Sequence, residues 1–187
     1  MRMAFAFPIS FLVGLLCFSL SAQAQIKNTQ SVLGGALTRA GNKNMKQLDD
    51  QQLAQLCEQG YSSAYFMYEG AQARTVNCSR GSITYSSTSI SSAPQILQNV
   101  SSSLRGHGGK VFVHCYNGAH ASGYVAAVAM KQFCGLSSDQ AFAYWKKTLG
   151  GYDLSPKGKA SIQKRIANYS VDASLTLSAS ERSQLCN

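Results

Sequence analysis

The sequence predicts an α/β layered domain built around a mainly parallel sheet, and three observations predict it. Apolar residues make up 45% of the 187-residue chain against 13% charged, which is enough material for a buried core. Short β-branched or aromatic runs alternate with segments of helical period, the order that layers helices on a parallel sheet. One run, KVFVH at Lys110–His114, is apolar without alternation, as a strand covered on both faces must be. The same composition excludes a disordered chain and a coiled coil. The length fits one domain, and neither a repeat nor a dividing linker is present.

Residues 1–24 read as an export leader and lie outside the predicted fold. Arg2 supplies the positive start, Phe5–Leu20 is apolar apart from Ser10 and Ser19, and Ala22-Gln23-Ala24 presents a small-residue cleavage site. The apolar run is short for a membrane span, which needs about 20 residues. The expectation is a periplasmic or secreted protein with no membrane span after cleavage. The folded domain is assigned to 25–170 and a Ser-rich tail to 171–187. Loss of Arg2 takes the balance from 17 basic against 8 acidic residues to 16 against 8, or +8. Such a charge favours anionic partners.

The elements follow in order. Asp49-Asp50 opens a helix carrying Leu53, Leu56 and Cys57, and Gly60 closes it. Tyr61–Tyr68 and Gly81–Ser86 read as strands, and Ser86–Ser92 as a loop. Ser92 is placed to cap a helix with Pro94 in its first turn and Ile96, Leu97, Val100 and Leu104 on its apolar face. The central strand follows, then a loop over Cys115–Ala121 and a small-residue helix over Ser122–Phe133. Two further helices begin at Ser138 and at Ser155-Pro156.

Leader removal discards Cys17 and leaves Cys57, Cys78, Cys115, Cys134 and Cys186. In an oxidising compartment cysteines pair by default, so an odd count leaves one thiol over. A bridge at Cys115 would tether the end of the central strand, which makes Cys115 the odd one. Sequence does not fix how the other four pair. Proximity along the chain favours Cys57 with Cys78 and Cys134 with Cys186.

The chemistry concentrates in VFVHCYNGAHASG, residues 111–123. A buried strand delivers a cysteine into a tight loop with a central glycine, and the loop runs straight into a helix N-terminus. Inward backbone N–H groups and the partial positive charge of that terminus form a nest for an oxyanion. The same field favours a thiolate and so a nucleophilic Cys115. Ser122 is placed to bond the sulfur or the loop.

This segment resembles the phosphate-binding loop of the cysteine-dependent tyrosine and dual-specificity phosphatases, HCxxGxxR[ST]G. His114, Cys115, Gly118, Ser122 and Gly123 match in register. The likeness extends over about Gly35–Tyr169, with GALTRAG ahead of the first helix and the DQAFAYWKK and SPKGKASIQKRI helices behind the loop. It implies a three-layer, phosphatase-like α/β sandwich. It implies Cys115 as nucleophile, Tyr116, Asn117, Gly118, Ala119, His120, Ala121 and Ser122 as ligand-binding positions, and His114 as support. It implies no cofactor. Arg39, within GALTRAG, is implied to line the pocket.

Two departures limit the function carried over. The family's loop arginine, which grips phosphate bidentately, falls on Ala121. The family's general-acid aspartate belongs on a loop that here reads YSSTSISSAP, without an acid. His120 and His107 are candidate cations to compensate. The expected function is therefore an exported phosphatase-like domain that binds a phosphorylated or other anionic ligand with little turnover. An active phosphatase, a rhodanese-like sulfur carrier and an envelope scaffold are the alternatives. Lys146, Lys147, Lys157, Lys159, Lys164 and Arg165 offer a basic face for an acidic envelope or protein partner. No zinc spacing is present and no nucleic-acid partner is expected.

Overall fold

The computed structural model describes residues 26–42 and 47–186, so the expected leader lies outside the described residues. A hairpin of β1 (Ile26–Val32) and β2 (Leu37–Asn42) precedes α1 (Asp50–Glu58). Strands β3 (Tyr61–Phe66), β4 (Arg74–Cys78) and β5 (Gly81–Ser87) follow, then α2 (Ala93–Leu104) and β6 (Lys110–Cys115). Four helices close the chain: α3 (Ala121–Cys134), α4 (Ser138–Thr148), α5 (Pro156–Asn168) and α6 (Ala179–Leu185). The sheet order is β1-β2-β6-β3-β5-β4. The inner pairs β2–β6, β6–β3 and β3–β5 are parallel, and the edge pairs β1–β2 and β5–β4 are antiparallel.

The run KVFVH is central because it is covered on both faces. Side chains alternate along a strand. Val111 and Val113 join the core under α2, α3, α4 and α5, while Phe112 joins the one under α1, where it meets Tyr61 edge-on at 5.7 Å. The result is three layers, with α2 to α6 on one side of the sheet and α1 on the other. Helix α3 is buried almost all round, as its Val, Ala and Gly content allows, and it ends at Gly135 in the left-handed region.

The expected elements are present, with differences at their edges. β1, β2 and β4 were not among the strands read from sequence. Ser92 stands at the start of α2 but makes no side-chain cap bond, its φ and ψ of −84° and 6° departing from the extended shape that capping needs. The tail beyond Tyr169 is structured: α6 carries its own capping box from Ser178 and Glu181 and is bridged to α3 by Cys134–Cys186. Cys57–Cys78 forms the other bridge, and Cys115 is the free, buried thiol.

Candidate functional site

β6 brings Cys115 to the carboxyl end of the parallel sheet, where open α/β folds place their ligands. The five residues Tyr116–His120 then turn into α3. Gly118 sits at φ +73°, and a Cβ there would land on the backbone of Ala40 and Gly41. Gly41 is equally constrained, since its Cβ would land on Asn117 and Gly118. Two glycines thus let β2 and the loop touch backbone to backbone, where Gly41 forms an isolated bridge with Asn117. Gly123 has a third reason: a Cβ would strike Thr148 Oγ1 where α3 meets α4.

Four consecutive loop carbonyls are tied to the scaffold. Asn28 Nδ2 donates to Asn117 O at 3.1 Å, and the Arg39 guanidinium donates to Gly118 O. Thr148 Oγ1 shares its one proton between Trp145 O at 2.7 Å and Ala119 O at 3.1 Å, and Trp145 Nε1 donates to His120 O at 3.1 Å. In a trans peptide the N–H points opposite to the carbonyl, and no cis peptide occurs among the described residues. The amides of Gly118, Ala119, His120 and Ala121 therefore turn away from these anchors. The amides of Ser122 and Gly123 have no intrahelical acceptor, because α3 begins at Ala121. The anchors thus leave a run of backbone donors in a loop that carries neither lysine nor arginine.

Cys115 Sγ lies 3.2 Å from Ser122 Oγ, and both residues are buried. Ser122 Oγ also reaches Ala40 O at 3.4 Å. His114 stands behind the loop. Leu48 N donates to Tyr85 Oη at 3.1 Å, Tyr85 Oη and His114 Nε2 share a hydrogen bond of 2.9 Å, and His114 Nδ1 is buried without a hydrogen bond among the described residues. Burial lowers the imidazole to about 3, leaving it neutral and stacked between Phe66 and Tyr85. One wall of the site is aromatic. Tyr116, 37% exposed, stacks on Tyr68 at 4.4 Å, and Tyr68 meets Phe66 edge-on. Burial, helped by Cys115 and Tyr116, pushes the Tyr68 phenol up to about 12, so it remains a proton-bearing group.

Of the three cations expected near the ligand, two are committed to backbone carbonyls. Arg39 is the first of these. It is 3% exposed and grips Gly118 O from the outer side of the loop, while Gln30 Oε1 and Asn28 O hold its other protons at 2.6 and 3.3 Å. Burial lowers its pKa, with Tyr144 and then Cys115 opposing. Arg39 Nε and Tyr144 Oη are buried without a well-aligned hydrogen bond, and the guanidinium and the phenol interact with each other. His120 turns its ring outward and donates from Nε2 to Tyr152 O at 2.5 Å. His107 precedes β6 and so lies at the far end of a strand about 17 Å long, out of reach of the loop. Ala121 brings only a methyl to the nest, and the β5–α2 connection holds no acid. Lys27, Asn28, Tyr68, Thr148 and Tyr152 also belong to the neighbourhood, although no motif in the sequence marked them.

No protein-family model matches the chain, and no curated protein matches its sequence. Solved structures do resemble it. Tk-PTP in the active form superposes with a TM-score of 0.54 at 15% identity, over 76% of this chain and 98% of that one. The chain has the fold of the tyrosine and dual-specificity phosphatases. The human tyrosine phosphatase-like serine/threonine/tyrosine-interacting protein matches at 0.51 and 16% identity, over 78% and 97% of the two chains. DUSP15 matches at 0.51 and 18%, over 83% and 93%. Within this phosphatase-like fold the cysteine loop lies at the end of β6, between β2 and α3.

Proposed function

We propose that this phosphatase-like domain binds a phosphorylated or other oxyanionic ligand at the 115–123 loop and turns it over slowly or not at all. The observation that carries the reading is the nest itself: its four anchored carbonyls turn backbone N–H groups away from the anchors, while Ala121 leaves the loop without a guanidinium. Backbone donors at a helix N-terminus suffice to hold an anion in the ground state. Turnover asks for more. Attack by a Cys115 thiolate forms an S–P bond, breaks the ester P–O bond and sends a proton to the leaving oxygen. The β5–α2 connection offers no acid for that proton, and loss of one transition-state donor costs about 10²–10³ in rate.

A specific observation favours a second reading, an active phosphatase. The nucleophile machinery is intact, with Cys115 Sγ 3.2 Å from Ser122 Oγ and a neutral, buried His114 behind it. Two disulfides and the leader-like residues 1–24 support an exported protein, periplasmic or secreted. The basic face on α4 and α5 suits an acidic envelope or protein partner. Phosphate-dependent thermal stabilisation tests the first reading. A rise in melting temperature with inorganic phosphate, at constant ionic strength, is the expected result. No shift at millimolar phosphate refutes it.

A further inference from the structure

The loop lacks its own cation, yet an ammonium from another element stands at its edge. Lys27 Nζ donates to Asn117 Oδ1 at 3.2 Å and lies 5.3 Å from the centre of the Tyr152 ring. It gets there through an irregularity in β1. Lys27 pairs with Gly41 and Gln30 with Arg39, so Asn28 and Thr29 oppose the single residue Ala40. That two-against-one count is a β-bulge, a device that re-aims side chains beside functional sites. Asn28 takes φ +49° within it, an uncommon value for a residue with a Cβ. Its amide then reaches both Asn117 O and Thr148 O. Gly41, opposite Lys27, is the glycine whose bare backbone admits the loop.

Lys27 has no carboxylate partner: among the described residues the ion pairs are Arg74–Asp50 and Lys159–Asp153. One of its three protons serves Asn117, which leaves donors for a ligand. His120 converges on the same residue, taking the Tyr152 carbonyl while Lys27 takes the ring face. The loop is therefore cationic on its Asn117–Tyr152 edge and aromatic on its Tyr116–Tyr68 edge.

We propose that Lys27 is an anion-binding residue of this site, delivered by the β1 bulge to grip a ligand oxygen where the loop itself supplies no guanidinium. The inference rests on the ligand-binding reading above. A lysine acts as a point charge, without the forked geometry of arginine. Such a contact strengthens binding of an oxyanion but does not reproduce bidentate transition-state stabilisation.

The test reads the charge at the rim with two alkylating agents of similar size, anionic iodoacetate and neutral iodoacetamide, each forming an S–C bond at Cys115 and releasing iodide. The ratio of their rates is measured for wild type, Lys27→Gln, Lys27→Arg and the surface control Arg80→Gln, in the turn between β4 and β5, together with the phosphate-induced thermal shift. Lys27→Gln is expected to lower the iodoacetate-to-iodoacetamide ratio and the phosphate affinity by about three- to tenfold. Lys27→Arg and Arg80→Gln retain both. A ratio unchanged in Lys27→Gln overturns the proposal, and so does a thiol closed to both reagents, since no anion could then pass the rim. If the ratio falls but phosphate never stabilises the wild type, Lys27 stands and the ligand-binding reading fails. If phosphate stabilises wild type and Lys27→Gln alike and the ratio holds, the reverse is true.

Discussion

Acidification from pH 7 to pH 5 is expected to destabilise the protein by about 2 kcal/mol through His114 alone. The ring is fully buried, sandwiched between Phe66 and Tyr85, and burial holds its folded pKa at about 3 against 6.5 for the free side chain. Between those values the unfolded chain takes up a proton that the folded chain refuses, so stability falls as pH falls. Integrating that difference gives about 0.2 kcal/mol lost at pH 7 and about 2 kcal/mol at pH 5. The window isolates this group from the carboxylates. The folded pKa values of Glu58, Asp153, Asp172 and Glu181 are lowered, chiefly by side-chain hydrogen bonds, so their contributions are lost only at lower pH. Urea unfolding with the disulfides intact is the assay, and the midpoint should drop by about 1 M between pH 7 and pH 5. His114→Phe, which cannot titrate, should flatten that dependence whatever its effect at pH 7. Equal pH dependence in wild type and His114→Phe would refute the reasoning.

Two further outcomes follow from the packing of the site and of the tail. Gly41→Ala forces a methyl against the Asn117–Gly118 backbone and should destabilise the fold by about 2 kcal/mol, with loss of phosphate-dependent stabilisation in a thermal melt. Removal of Cys134–Cys186, which spans 52 residues, should cost about 4 kcal/mol by loop-closure entropy and expose the α6 amides to hydrogen exchange before those of β6.

Legibility in the sequence followed how strongly each element is buried. KVFVH, the glycine loop and the small-residue helix after it were readable because a central strand and a helix buried almost all round are built mainly of apolar and small residues. The edge strands were not. IKNTQSV and RTVNC each face solvent on one side, and the bulge at Asn28–Thr29 breaks the period of two in the first of them. Lys27 and Asn28 were hidden for that reason, although they complete the loop's surroundings. Arg39 was visible as a residue, but its direction was not: only the register of β2 against β6 places it behind Gly118 O. His107 failed on distance, since adjacency to β6 in sequence put it at the wrong end of the strand. The short α6 lay concealed in a Ser-rich segment that a disulfide ties to α3.

The central claim, an anion nest that does not turn over its ligand, is tested most directly by aryl phosphate hydrolysis with wild type, Cys115→Ser and Ala121→Arg side by side. The account predicts near-background rates for the first two and a gain of about 10²-fold or more for Ala121→Arg, which restores a forked cation to the nest. Wild-type turnover at an ordinary enzyme rate of about 1 s⁻¹ or above, abolished in Cys115→Ser, would contradict it.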